Sequence, residues 1–296
     1  LDSRAVAAGA GLGLAEMIAS GVTCVADMYM HTGTIAEQIL EAGISANLSC
    51  GGVYFGAPED FSPETCGDCR NQAALTEEWH GAGAGQILVD ASVHGEYTSN
   101  PPLWRWMAEY AAEHRLGMHV HVSETQSEHQ ASLERWGKTP IQALDGCGVW
   151  DCGRSLAAHC VYTTEEDWAL MAEKGISCVH NPWSNLKLGS GVAPIPAMMR
   201  AGVNVALGTD GMSSHNSADL FSDIKLAAVL HNGVERDPMA VNAWAALEMA
   251  TVNGARALGR DTGVIAPGKT ADLILVDLSA PNPIPCHDPV EDLVFS

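Results

Sequence analysis

The sequence predicts an α/β protein of the parallel-barrel kind, a TIM-type (β/α)8 barrel whose first strand is not among these residues. Three observations carry that expectation. Short aliphatic runs alternate with Ala/Leu/Glu/Met-rich stretches of helical spacing, the βαβα signature of a parallel sheet. About seven such units fit within roughly 250 residues, one short of the eight of a closed barrel. Histidine or aspartate then closes several of the runs, which is where barrels of this kind place their chemistry.

In chain order, the expected strands are 22–26, 44–48, 86–93, 117–122, 156–159, 176–180 and 203–207. Helices are expected over 103–114, 165–173, 196–201 and 242–258. Thr164 precedes the second of these as an N-cap with acids in the first turn, and Gly175 and Gly202 stop helices just before the next strand. The chain opens on Leu1, and the run Asp292-Leu293-Val294-Phe295 reads as a strand that Ser296 interrupts, so both ends are expected to continue. The pattern changes at Gly263 to Lys269. Ala271 to Val276 reads as a strand with no helix after it, and prolines at 281, 283, 285 and 289 break regularity. The expected division is therefore a barrel over 1–262 and part of a small β domain over 263–296.

Composition narrows the function. With 36 acidic against 15 basic side chains the formal charge is −21, which disfavours nucleic acid and anionic membrane surfaces as partners. A hydrophobic fraction of 47% with only 17% charged residues supports a large core. No run reaches the roughly 18 apolar residues that a spanning helix needs. Nine cysteines, an odd count in a long chain, suggest reduced thiols and a cytoplasmic setting. Cys66 and Cys69 form a C-x-x-C with no second pair at zinc-ribbon spacing, so two loop thiols are the preferred reading over a structural zinc site.

The candidate site residues lie at the strand ends. His94 ends the third run, His121 the fourth with Glu124 just beyond it, His159 the fifth, and Asp210 follows the seventh. Imidazole and carboxylate are ligands for zinc or a similar divalent cation, and a hydrolytic site keeps a position open for water. His121 shares a strand face with His119, which lies deeper and is read as a packing or orienting residue. His180 is read the same way, as a strand-end hydrogen bonder. His80, His114, His129, His231 and His287 sit in polar or loop contexts and carry no assigned role.

Four strings carry a resemblance: Met118 to Thr125, Ala158-His159-Cys160-Val161, His180-Asn181-Pro182 with Ser184 to Leu188, and Gly202 to Gly211. Together with Gly21 to Tyr29 and Gly263 to Asp277, they resemble the amidohydrolase superfamily, and within it the 5-methylthioadenosine/S-adenosylhomocysteine deaminase branch. The resemblance covers nearly the whole chain. It implies a (β/α)8 barrel with a small C-terminal β-sandwich domain, and hydrolytic deamination of adenine nucleosides to the inosine-type product and ammonia.

Carried over residue by residue, the resemblance makes His121 and Asp210 metal ligands, Asp210 also the base, Glu124 the ring protonator and a substrate contact, His159 the group that orients hydroxide, and His94 a substrate hydrogen bonder. The family's first-strand H-x-H would lie upstream of Leu1, because His119-Val120-His121 occupies the fifth unit. The run Gln86 to His94, which matches the family's fourth strand, carries no lysine, and the resemblance therefore implies a single metal ion: zinc, with iron or manganese as alternatives. Cys50 stands where S-adenosylhomocysteine-accepting members carry an arginine, and Arg70, in the following loop, aligns only loosely as a substitute, so the resemblance favours an uncharged nucleoside as the small-molecule partner. The alternatives are an aminohydrolase of a guanine, cytosine or triazine-like ring, and a truncated, catalytically silent chain. A homo-oligomer is expected by analogy only.

Overall fold

A computed structural model describes residues 1–279 and 283–296; Pro281, one of the expected breakers, lies outside the described residues. Eight strands follow one another: β1 (Cys24–Met28), β2 (Ser45–Ser49), β3 (Ile87–Val89), β4 (Ala91–Gly95), β5 (Met118–Val122), β6 (Ser155–His159), β7 (Ile176–His180) and β8 (Val205–Leu207). They pair in parallel as β1-β2-β3 and β4-β5-β6-β7-β8, in sequence order throughout. Each of the seven expected runs is a strand, with the third divided into β3 and β4.

The division falls at Asp90, where the strand changes partner. Asp90 donates its N–H to Leu48 O, whereas Ala91 donates to Gly117 O. The buried Asp90 carboxylate accepts from both terminal nitrogens of Arg154 (2.5 and 3.0 Å), from Gly117 N (3.2 Å) and from Asn47 Nδ2 (3.0 Å). One side chain thereby joins β2, the β3–β4 junction and the starts of β5 and β6. Arg260 reinforces the same end, donating to Asn47 Oδ1, Gly85 O and Ala46 O.

Alternation along β5 sorts its residues between two environments. Met118, Val120 and Val122 are buried in the main core between sheet and helices, whereas His119 and His121 face the other way. On that inner side Leu156, Ala206, Ala257, Val179 and Leu258 form a small apolar plug, the helix Val252–Leu258 lying across β6 and β8. The apolar floor leaves the polar inner residues to the carboxyl end of the strands.

Three expectations fail, each for a local reason. Ala271 to Val276 forms no strand; among the described residues it finds no neighbouring strand to pair with, and Leu273 to Val276 are exposed. Asp292 to Phe295 belongs to the helix Pro289–Phe295, started by a proline at its first position and by Asp288, whose carboxylate accepts from Val290 N and Glu291 N. The helix expected over 242–258 divides into Ala243–Ala250 and Val252–Leu258 at Thr251, whose hydroxyl bonds back to Leu247 O while its backbone leaves the helical region.

Candidate catalytic rim

The carboxyl ends of the strands carry unusual backbone. Ser123 after β5, His159 and Cys160 at the end of β6, and Asp210 after β8 all hold positive φ, between 50° and 74°. Non-glycine residues in that region cost about 1–3 kcal/mol each and persist where surrounding contacts over-determine them. His159 pairs across from Val122, which points to the outer core, and its left-handed backbone re-aims the ring toward the inner cluster.

Four histidines converge there. The ring of His121 lies 5.1 Å from that of His94, 5.6 Å from His159 and 5.8 Å from His119. His121 Nδ1 donates to the His94 carbonyl at 2.7 Å, which fixes the tautomer and leaves Nε2 as a bare lone pair. Burial pushes the His121 pKa down to about 3, with the neighbouring His119 and His159 adding to the effect. The ring is therefore neutral, as a metal ligand must be. His94 is also lowered by burial and pairs through Nδ1 with Thr98 Oγ1 at 3.1 Å. His119 is buried beneath, lowered to about 4, with only a long contact from Nδ1 to Ser49 Oγ at 3.4 Å.

Glu124 reaches this group from the loop after β5. Its Oε1 accepts from Ser190 Oγ at 3.1 Å, and Oε2 lies 3.9 Å from His159 Nε2. Its backbone is held by Glu128, whose carboxylate accepts from Ser123 N and Glu124 N, each at 2.8 Å, and from Thr125 N at 3.4 Å. Thr125 returns the bond to Glu128 N, completing a capping box at the start of the helix Gln126–Trp136. Burial raises the Glu128 carboxyl to about 6 against those three donors.

Asp210 and His159 are anchored by adjacent residues of one short helix, Pro182–Lys187. Ser184 Oγ donates to Asp210 Oδ2 at 2.5 Å, and His159 Nδ1 meets Asn185 Oδ1 at 2.8 Å. Gly211 N binds the other Asp210 oxygen at 2.5 Å. Ser184, Asn185, Ser190 and Glu128 were not assigned roles from sequence. The T-x-x-E spacing of Thr125 and Glu128, and the place of Ser184 and Asn185 in the string after His180-Asn181-Pro182, are the signals that the sequence offers for three of them.

His94, His121, Glu124 and His159 are thus brought together directly, and Asp210 joins them through the Ser184–Asn185 turn. Other candidates face elsewhere. His180 turns into the helix layer, where its Nε2 meets His231 Nε2 at 3.0 Å. Cys50 Sγ points to Gln72 Oε1 at 3.4 Å, and Arg70 spends its guanidinium on the carbonyls of Glu64 and Thr65. Cys66 and Cys69 are buried in the main core. Among the described residues no three His, Cys, Asp or Glu side chains are grouped to hold a metal ion by themselves. Two donors of the chemistry that a divalent cation takes are present, the free Nε2 of His121 and the carboxylate of Asp210, whose oxygens are turned to Ser184 Oγ and Gly211 N.

Comparison with known proteins bears on the family and the fold. The chain is 41% identical over 287 residues to a 5-methylthioadenosine/S-adenosylhomocysteine deaminase of Acetivibrio thermocellus, covering 96% of this chain and 65% of the relative. It is 39% identical over 289 residues to a 5′-deoxyadenosine deaminase of Methanothermobacter thermautotrophicus, covering 98% and 66%. The chain therefore spans about two thirds of the length of these relatives. A crystal structure of an adenosine deaminase from Xanthomonas campestris with bound zinc superposes with a TM-score of 0.92 at 34% identity, over 100% of this chain and 67% of that one. The Amidohydrolase family profile matches residues 1–296, and with that match the chain belongs to the amidohydrolase family.

Proposed function

We propose that this chain forms most of the catalytic barrel of a metal-dependent hydrolytic deaminase of adenine nucleosides, with 5-methylthioadenosine, 5′-deoxyadenosine or adenosine as substrate. The observation that carries the reading is the union of Glu124, His159 and His121 at one rim, with Asp210 tied to His159 through Ser184 and Asn185. The named deaminase relatives support it. So does the zinc bound to the Xanthomonas protein.

His121 and Asp210 would supply two ligands to one divalent ion, most simply zinc, with the remaining donors from the first-strand H-x-H. When bound, that ion lowers the pKa of water toward about 7 and so provides hydroxide at neutral pH. Asp210 accepts the proton that the attacking water releases; Ser184 Oγ holds its Oδ2 and Gly211 N its Oδ1. Glu124 delivers a proton to the ring nitrogen beside the amino-bearing carbon as the water oxygen bonds to that carbon, which passes from an aromatic to a tetrahedral centre. Ser190 holds one Glu124 oxygen and leaves the other toward His159 and the substrate. His159, its Nδ1 bound to Asn185, presents Nε2 to orient the nucleophile. His94 offers its second ring nitrogen to the substrate. Asp210 passes its proton to the amino group, which leaves as ammonia, and the hydroxyl proton returns to Glu124 as the carbonyl of an inosine-type product forms.

The 5′ substituent is best uncharged, because Arg70 is committed to backbone carbonyls and Cys50 faces Gln72. The nine free thiols suit a reducing, cytoplasmic setting. The test is ammonia release from 5′-deoxyadenosine, 5-methylthioadenosine and S-adenosylhomocysteine by the protein and its Glu124→Gln variant. The expected result is a loss of about 10²- to 10⁴-fold in the variant at unchanged zinc content. Unchanged turnover would overturn the role of Glu124. A zinc-loaded protein that deaminates no adenine nucleoside would move the substrate to another ring, and equal efficiency on S-adenosylhomocysteine would overturn the uncharged-substituent reading.

A further inference from the structure

The mechanism above uses neither Asp223 nor His215, yet the two form a buried polar pair directly behind the rim. Asp223 lies one turn into the helix Leu220–Glu235 and is 0% exposed; His215 ends the short helix Met212–His215 that follows Asp210 and Gly211. His215 Nδ1 accepts from Ser217 N at 3.2 Å, so the ring hydrogen must sit on Nε2, which donates to Asp223 Oδ2 at 2.9 Å. The other carboxylate oxygen is buried without a hydrogen-bond partner, and the backbone N–H of Trp183 lies beside the carboxyl group.

Such a group is costly where it stands. A buried carboxylate with one firm partner is poorly compensated, and burial raises the Asp223 carboxyl to about 8. An apolar residue of similar size would serve the core better, so the position asks for a reason beyond stability.

The reason lies in what the pair touches. Trp183 immediately precedes Ser184 and Asn185, and its ring lies 5.7 Å from that of His215. Lys187, at the far end of the same helix, donates to Ser213 O at 2.8 Å and also to Asn216 Oδ1. The helices Pro182–Lys187 and Met212–His215, of six and four residues, are too short to hold their own geometry. The first anchors both Asp210 and His159; the second leads directly out of Asp210. Asp223 faces both from one fixed helix.

We propose that Asp223 and His215 are positioning residues that lock these two short helices in register, fixing Asp210 and the His159 imidazole relative to each other. The proposal rests on the roles given to Asp210 and His159 above.

Asp223→Leu, Asp223→Asn and His215→Asn test it. Asp223→Leu is expected to keep or raise the denaturant midpoint, while kcat on 5′-deoxyadenosine falls at least tenfold with KM changed by less than about threefold. Asp223→Asn, which retains an acceptor for His215, restores part of kcat. In metal-free protein, hydrogen exchange in both Asp223 variants and in His215→Asn rises over 182–187 and 210–216 but not in β5 to β7. The zinc-loaded variants lose the ion faster to a chelator than the unmodified protein does. Wild-type kcat, exchange and zinc retention in Asp223→Leu would overturn the proposal, as would an activity loss that merely tracks the unfolded fraction. Should the unmodified protein deaminate no adenine nucleoside, the substrate reading falls, and the exchange and zinc measurements still decide whether the pair is a lock.

Discussion

Removing the Glu128 carboxylate separates what holds the rim from what holds the fold. In Glu128→Ala, two strong acceptors at 2.8 Å disappear from Ser123 N and Glu124 N, and a third at 3.4 Å from Thr125 N. A buried donor left without a partner costs about 1–3 kcal/mol, so the two short bonds together represent about 4 kcal/mol. Against this, the substitution relieves the burial of an acid whose pKa is raised from 4.5 to about 6, a relief of about 2 kcal/mol at neutral pH. Lost bonds exceed relief, and the net destabilisation is about 2 kcal/mol. Catalysis should suffer more, because Glu124 rides on the released backbone and a shift of about 1 Å can cost about 10²-fold. The control is Asp167→Ala. There the same capping box, with Thr164, starts the helix Glu165–Lys174, and the carboxylate also serves Thr139 and Gln142 without carrying a site residue. Urea unfolding and single-turnover deamination of both variants decide the matter. Equal activity losses at equal destabilisation would refute the argument that Glu128 acts through Glu124.

Two further outcomes bear on stability alone. Asp90→Asn removes the charge from a buried site with four donors and leaves Arg154 unpaired, so unfolding should become easier by about 3–5 kcal/mol while kcat per folded molecule stays unchanged; a lost kcat in folded protein would contradict the separation of the two barrel ends. His231, lowered by burial from 6.5 to about 4, binds fewer protons folded than unfolded between those values, so its share of stability is present above pH 6.5 and is lost as pH falls toward 4. From pH 7 to 5 that share is about 2 kcal/mol, and His231→Phe should lose correspondingly less over the same interval in chemical denaturation.

Strand positions were legible because each is a short apolar run bounded by helical spacing, and His121, Glu124, His159 and Asp210 were legible because they end such runs. The partners that aim them were not. Asn185 lies 26 residues from His159, and Ser184 the same distance from Asp210, so nothing local ties either pair together. Asp223 reads in sequence as an ordinary polar residue on a helix; only the fold turns it inward. Ala271 to Val276 shows the converse, since apolar β-branched composition makes a strand only where a neighbour supplies a ladder. Asp292 to Phe295 was misread because the Asp288-Pro289 start signal lies just before the run.

The left-handed residues at the strand ends bear on how this protein can change over time. Ser123 and Cys160 touch no reacting group in the proposed mechanism, and the buried Ser123 hydroxyl has no partner. Glycine at Ser123 would relax the backbone and remove the unpartnered hydroxyl, so an accessible stabilising change lies next to Glu124, whereas Cys160 is kept by the core it fills and by its bond to Ala157 O. The same freedom at Ser123 would loosen the loop that its backbone conformation holds still. Selection for a longer-lived fold and selection for turnover therefore pull in opposite directions at adjacent codons, and the residues that persist there record which pressure has been stronger.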